Sequence, residues 1–265
     1  MLCEPARSPY DWNFFFFGIS VRVTWLFWVI SAVIGYHWAE NLHNMYEYRL
    51  QLDTPGRPVL LAIWIGITFI SILIHELGHS IAMRWYGISS YIVLYHFGGL
   101  AIPDGIGSWR RPNRGSHWEQ VVISAAGPAF QLLFGGIVAA IAIASGLTIG
   151  STSHYLDWLI PIPKGELPSS AALMAIIDST VYTSIFWALV NLLPVLPLDG
   201  GRIAQSLIGQ HQRTSGLNEA TVLSIGVSAI VALYGFREQN PALGMYFLIF
   251  AINNYQSLQG NHPSY

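Results

Sequence analysis

Charge is the scarcest property of this 265-residue sequence. Asp, Glu, Lys and Arg together make up 10% of it, where soluble domains average about 25%. An ordinary soluble domain is therefore excluded. With 53% of residues hydrophobic, the composition is that of a polytopic membrane protein. Cysteine is nearly absent as well. Cys3 stands alone, which rules out an intramolecular disulfide and leaves too few thiols for a thiolate zinc site, so any metal must be held by His, Asp and Glu. No basic run points to nucleic acid, and the net charge of −2 selects no partner. Residues 1–10 have no basic n-region ahead of a small-residue cleavage site, so no removable signal peptide is expected. Internal repeats and low-complexity tracts are missing too, and the length suits one membrane domain over residues 1–265.

What is present is a series of apolar runs near the roughly 20 residues that a spanning helix needs. Six are expected, at residues 19–39, 59–83, within 117–146, and at 171–193, 219–236 and 242–257, the last interrupted by Asn253 and Asn254. The segment 87–103 differs. It is rich in β-branched and aromatic residues, bounded by glycines, and too short to span as a helix. It reads as a strand or hairpin beside the second helix, with an interfacial loop bearing aromatic anchors as the alternative. The aromatic cluster of residues 10–17 reads as a further interfacial anchor. The expected fold is thus an all-α polytopic membrane protein of about six transmembrane helices with one short β-strand or hairpin element. Six spans put Arg7, Arg22, Arg84, Arg110, Arg111, Arg114, Arg202 and Arg213 on one side, against Arg49, Arg57, Lys164 and Arg237 on the other. The positive-inside rule then places the first side, and both termini, in the cytosol.

At the end of the second run stands His75-Glu76-Leu77-Gly78-His79. His-Glu-x-x-His on a helix puts two imidazoles on one face, the spacing that grips zinc with the Glu beside it as general base. Three fixed residues also arise by chance, and two buried, hydrogen-bonded histidines are the alternative. Context favours the metal. Thr68, Ser71, His75, His79 and Ala82 share one helical face, and a polar, small-residue stripe on an apolar helix should face protein or water, not lipid. A catalytic zinc site needs a third protein ligand and an open position. The best candidate is Asp199, in Asn191-Leu192-Leu193-Pro194-Val195-Leu196-Pro197-Leu198-Asp199-Gly200-Gly201-Arg202. There two prolines end the fourth run and Gly200-Gly201 would let the chain turn sharply. A plain surface turn is the competing reading of Asp-Gly-Gly.

These paired motifs, HELGH in an apolar helix and N-x-x-P-x-x-P-L-D-G-G-R after a later one, resemble the site-2 protease family of intramembrane zinc metalloproteases, peptidase family M50. The resemblance covers residues 71–202, about half the chain. It implies one Zn2+ per chain held by His75, His79 and Asp199, with Glu76 as catalytic base and Asn191 near the active site. It also implies that Phe97, Gly98, Gly99, Leu100 and Ala101 hold substrate in extended form. The catalytic core is expected over residues 59–202, with flanking helices at 19–39, 219–236 and 242–257. The sequence departs from the family's G-P-x-x-N pattern at Gly127-Pro128-Ala129-Phe130-Gln131. Gly127, Gln131, Gly135 and Ala139 recur every four residues, so helix packing is the preferred reading of that stripe, with Gln131 hydrogen-bonding across it. No loop is long enough for a PDZ domain and no tail for paired CBS domains. His96 and the remaining histidines read as structural, and Asp178, Thr180, Thr183 and Ser184 as facing the bundle or a water path.

The implied activity is hydrolysis of peptide bonds in or near the transmembrane segment of a membrane-anchored protein, within the lipid bilayer of the cell membrane and with no nucleic-acid partner. Glu76 would move the proton of the attacking water. The substrate helix would unwind and add as a strand to residues 91–101, which would satisfy its freed backbone groups. A metal-binding membrane transporter or scaffold without protease activity is the rival. It would be expected to show paired charged or broken helices or a repeat, none of which is visible here.

Overall fold

The two-residue turn Phe17-Gly18 sets the first element of the fold. Both residues have positive φ, 48° and 72°, the type I′ geometry that closes a tight hairpin. The computed structural model describes residues 4–96, 98–104, 116–149, 165–168, 170–212 and 215–260. The turn joins β1 (Trp12–Phe16) to β2 (Ile19–Val23), followed by α1 (Trp25–Asn44) and a π-helical turn (Met45–Arg49). Next come α2 (Arg57–Trp85), β3 (Ser90–Tyr95), β4 (Gly98–Pro103), α3 (His117–Ala144) and α4 (Ala171–Asn191). The chain continues through α5 (Asp199–Gln212), α6 (Leu217–Arg237) and α7 (Pro241–Leu258).

The expectation of an all-α chain with one hairpin is corrected. β1 to β4 form one sheet in that order, with β2 parallel to β3 and the other pairs antiparallel. The hairpin expected at 87–103 is β3–β4. Residues 19–23, expected to open the first span, are strand instead. Ile19, Val21 and Val23 alternate and point inward, a period-2 pattern that no helix accommodates, and α1 starts only after Thr24. The aromatic cluster at residues 10–17 is largely β1, with Phe15 and Phe17 exposed.

Among the described residues four helices, α2, α3, α4 and α6, are long and apolar enough to cross a membrane, and the chain is a multi-pass membrane protein. α1 and α7 have 20 and 18 residues but carry more polar side chains, among them Glu40 and Asn41, and Asn253 and Asn254. α2 lies at the centre, packed on α1, α3 and α4; α3 also meets α4 and α5, and α6 packs on α5 and α7. Sequence sets the helix starts locally. Ser116 Oγ accepts from Glu119 N at the head of α3, and Asn240 caps α7 ahead of Pro241, both strong start signals. The sheet's inner face, with Ile19, Val21, Val23, Ile92 and Leu94, packs on Leu73 and Leu77 of α2. Those two leucines flank His75 and Glu76, so the sheet is seated directly over the motif.

Several residues singled out from sequence lie outside the described residues: Cys3, Phe97, Arg110, Arg111, Arg114, His154, Lys164, Arg213 and His262.

Candidate metal centre

His75 and His79 sit one turn apart on α2, 5% and 7% exposed. Their surrounding helices come close because the contact residues are small. A Cβ at Gly127 of α3 would overlap the Nε2 atoms of both rings, and one at Gly78 would strike the backbone of Ala126. Each imidazole is held by its far nitrogen. His79 Nδ1 donates to the Ile123 carbonyl at 2.7 Å, and His75 Nδ1 donates to Gln131 Oε1 at 2.9 Å. With Nδ1 so engaged, each ring turns Nε2 inward, the nitrogen that would be left to a metal.

Asp199 reaches these nitrogens from a distant part of the chain. It opens α5, behind a loop containing Pro194, Pro197 and a cis Leu196–Pro197 bond. That loop is pinned from two sides. Leu196 N donates to Ser224 Oγ of α6, and the Leu196 carbonyl accepts from Asn254 Nδ2 of α7, each at 2.8 Å. Gly200 and Gly201 are not the sharp turn expected from sequence. They lie in the first turn of α5, where a Cβ would collide with the backbone of Leu192 and Leu193 or of Val195 and Leu196. Glycine is needed there for close approach, not for a special φ.

The three groups converge. His75 Nε2 lies 3.0 Å and His79 Nε2 3.3 Å from Asp199 Oδ2, and the two Nε2 atoms are 3.1 Å apart. Zinc bonds of about 2.0–2.1 Å set tetrahedral ligand atoms roughly 3.3–3.4 Å apart. The triangle matches one face of such a tetrahedron to within a few tenths of an ångström. This group can hold one metal ion. Burial opposes the charge on Asp199, but the His79 and His75 rings more than offset it and keep its carboxyl well below the usual carboxylate range. The residue therefore offers an anionic oxygen.

Glu76 is buried beside the triangle and faces β4. Its carboxylate accepts from the Ala101 backbone N–H, and a Cβ at Gly99 would overlap its side chain. In an antiparallel pair, residues alternate between turning their backbone groups towards the partner strand and away from it. The Ala101 N–H points away from β3, so Gly99, Ala101 and Pro103 present their backbone outward. Among the described residues β4 is the last strand of the sheet, and its outward side faces Glu76, which takes the Ala101 N–H.

The structure thus brings together His75, His79, Asp199, Glu76, Gly99 and Ala101. Gly98 and Leu100 lie in the same strand, half-buried. Asn191 is the half-buried last residue of α4, and no side-chain hydrogen bond joins it to this group among the described residues. Sequence reasoning missed three supports: the Ile123 carbonyl, the grip of Gln131 on His75, and Asn254 on the Asp199 loop. The polar interruption of the last run was the available signal for Asn254, and the four-residue recurrence through Gly127 the signal for Gln131. That recurrence does serve packing, since a Cβ at Gly135 would crowd Ser184 of α4.

The family model of peptidase family M50 matches residues 63–234, more than half of the chain and the whole of this centre. The chain belongs to peptidase family M50. A Synechocystis sp. protein carrying a provisional zinc metalloprotease name is 29% identical over 196 residues, 73% of this chain and 43% of that protein. A zinc metalloprotease of Methanocaldococcus jannaschii is 24% identical over 194 residues, 72% of this chain and 48% of that protein. The chain thus spans less than half the length of these two relatives. A solved structure, the site-2 protease from Methanocaldococcus jannaschii, has the same fold, with a TM-score of 0.52 at 20% identity over 94% of this chain and 95% of that one.

Proposed function

We propose that this chain is an intramembrane zinc metalloprotease that hydrolyses peptide bonds in or near the transmembrane segment of membrane-anchored proteins. The observation that carries this is the joint geometry of a tetrahedral ligand face, a buried carboxylate beside it, and the outer edge of a strand next to both. A transporter or scaffold has use for the first but not for the other two. The names of the two relatives, both zinc metalloproteases, and the M50 membership support the same reading.

In this proposal His75, His79 and Asp199 hold the zinc. When bound, zinc supplies the Lewis acidity that makes water a nucleophile near neutral pH and polarises the scissile carbonyl. Glu76 takes the water's proton and delivers it to the leaving amine. A substrate segment, once unwound, pairs with the outward backbone of β4. Its freed N–H and C=O groups then find partners where the bilayer offers none. Gly98, Gly99, Leu100 and Ala101 form that seat, and the Asn191 amide donates to substrate backbone or to the developing oxyanion. Substrates are membrane proteins, and nucleic acid has no part.

The finer topology is also a proposal. α1 and α7 cross the cell membrane as the first and sixth spans, with both termini cytosolic. At 1.5 Å per residue α1 is roughly 30 Å long, enough for the hydrocarbon core. Arg84, at the end of α2, donates to the Phe17 carbonyl, and β2 pairs with β3. These contacts support placing the start of α1 and the end of α2 on one side. Arg22 weighs less in the charge count than the sequence suggested, because it is buried between Glu4 and Asp11.

The deciding experiment is cleavage of a single-span reporter in detergent by wild type, Glu76→Gln and Asp199→Asn, with zinc content measured in each. Glu76→Gln should bind zinc and lose activity by on the order of 10²–10⁴-fold. Asp199→Asn should lose both zinc and activity. Undiminished cleavage by zinc-loaded Glu76→Gln would remove Glu76 from the chemistry.

A further inference from the structure

We infer that Gln131 is a positioning residue for the metal: it fixes the tautomer and rotation of His75, and Ser71 fixes Gln131 in turn. The inference rests on the reading of His75 as a zinc ligand. His75 offers Nε2 to a metal only if its proton sits on Nδ1 and has an acceptor. The Gln131 oxygen is that acceptor, at 2.9 Å. Gln131 is 1% exposed, so bulk water cannot take its place. A carboxamide has two ends, and one turned around would present N–H to Nδ1 and favour the wrong tautomer. Ser71 selects the end. Gln131 Nε2 donates to Ser71 Oγ at 2.9 Å, and Ser71 Oγ shares a 3.1 Å hydrogen bond with Ser184 Oγ. When the Ser71 proton lies on Ser184, Ser71 has only lone pairs to offer, and these hold the amide nitrogen.

This relay runs through α4, α2 and α3 before it reaches the ring. α4 is also the helix whose C-terminal continuation carries Asp199. Two of the three ligand groups therefore take their placement from α4, one through side chains and one through the chain itself. His79 is held differently, by a main-chain carbonyl that no substitution at position 123 removes.

The test uses the full chain in detergent with zinc alone as ligand. Gln131→Met keeps length and bulk but removes the amide. Gln131→Glu keeps an acceptor for Nδ1, and its second oxygen can accept from the Ser71 hydroxyl. Zinc affinity is measured by chelator competition, the ligand field by the visible spectrum of the cobalt-substituted protein, and packing by thermal unfolding of the metal-free form. Gln131→Met should weaken zinc binding by on the order of 10–100-fold and alter the cobalt spectrum, with metal-free stability little changed. Gln131→Glu should return affinity to within a few-fold of wild type. Wild-type affinity and spectrum in Gln131→Met would overturn the inference. So would Gln131→Met and Gln131→Glu weakened alike with a matching drop in metal-free stability, which would mark a packing role. Failure of the wild type to take up zinc would overturn the metal reading itself, and this inference with it.

Discussion

At the scale of single residues, the centre is defined as much by missing side chains as by present ones. Gly127 leaves room for two imidazoles and Gly99 for a carboxylate, and one methyl group at either site makes a separable test. Gly127→Ala drives its Cβ into both Nε2 atoms, so the protein should lose zinc and with it all cleavage, measured by metal content and reporter assay. Gly99→Ala displaces Glu76 while leaving the ligand triangle alone. Zinc should stay bound, and turnover should fall by on the order of 10²-fold, the cost of misplacing a reacting group by about an ångström. The two histidines, the glutamate and the aspartate that meet at the centre were legible in the sequence, because His-Glu-x-x-His and Asp-Gly-Gly are local patterns. What held each ring was not. Ile123 acts through its carbonyl, which every residue has, and Gln131 reaches His75 across 56 positions of sequence.

At the scale of elements, β4 is the piece whose chemistry lies in its backbone. The Ala101 N–H faces Glu76 and not β3, so Ala101→Pro removes an outward donor without breaking the ladder to β3. Cleavage of the reporter should drop while zinc content and the thermal unfolding midpoint change little; unchanged turnover would show that the Ala101 donor serves neither Glu76 nor substrate. The helices α2, α3, α4 and α6 were found within a few residues of their ends, because a spanning helix must be one long apolar run. β1 and β2 were not, since Ile19-Ser20-Val21-Arg22-Val23 runs directly into the apolar stretch of α1 and a hydropathy window merges the two. α5 was read as a turn because its glycines look like turn residues, while the collisions they avoid lie in a loop several residues upstream. Asn254 was counted against a span, and its amide is what grips the loop before Asp199.

At the scale of the whole molecule, the ligand group joins residues 124 positions apart, linking α2 to the start of α5. A bound metal should therefore act as a cross-brace. Saturating zinc at about 100 times its dissociation constant stabilises the folded state by roughly 2.7 kcal/mol. Stripping the metal with a chelator should lower the thermal unfolding midpoint, and adding zinc back should restore it. The Asp199→Asn variant should show the lower midpoint with or without zinc.

The parallel pairing of β2 with β3 carries a consequence for the order of events at the ribosome. Val21 to Val23 pair with Ile92 to Leu94, so the sheet cannot assemble until α1 and α2 have both been made. β4 follows within a dozen residues, whereas Asp199 emerges nearly a hundred residues later. Chains are made N-terminal end first. A nascent copy therefore completes its strand edge well before it has made the carboxylate that closes the triangle with His75 and His79.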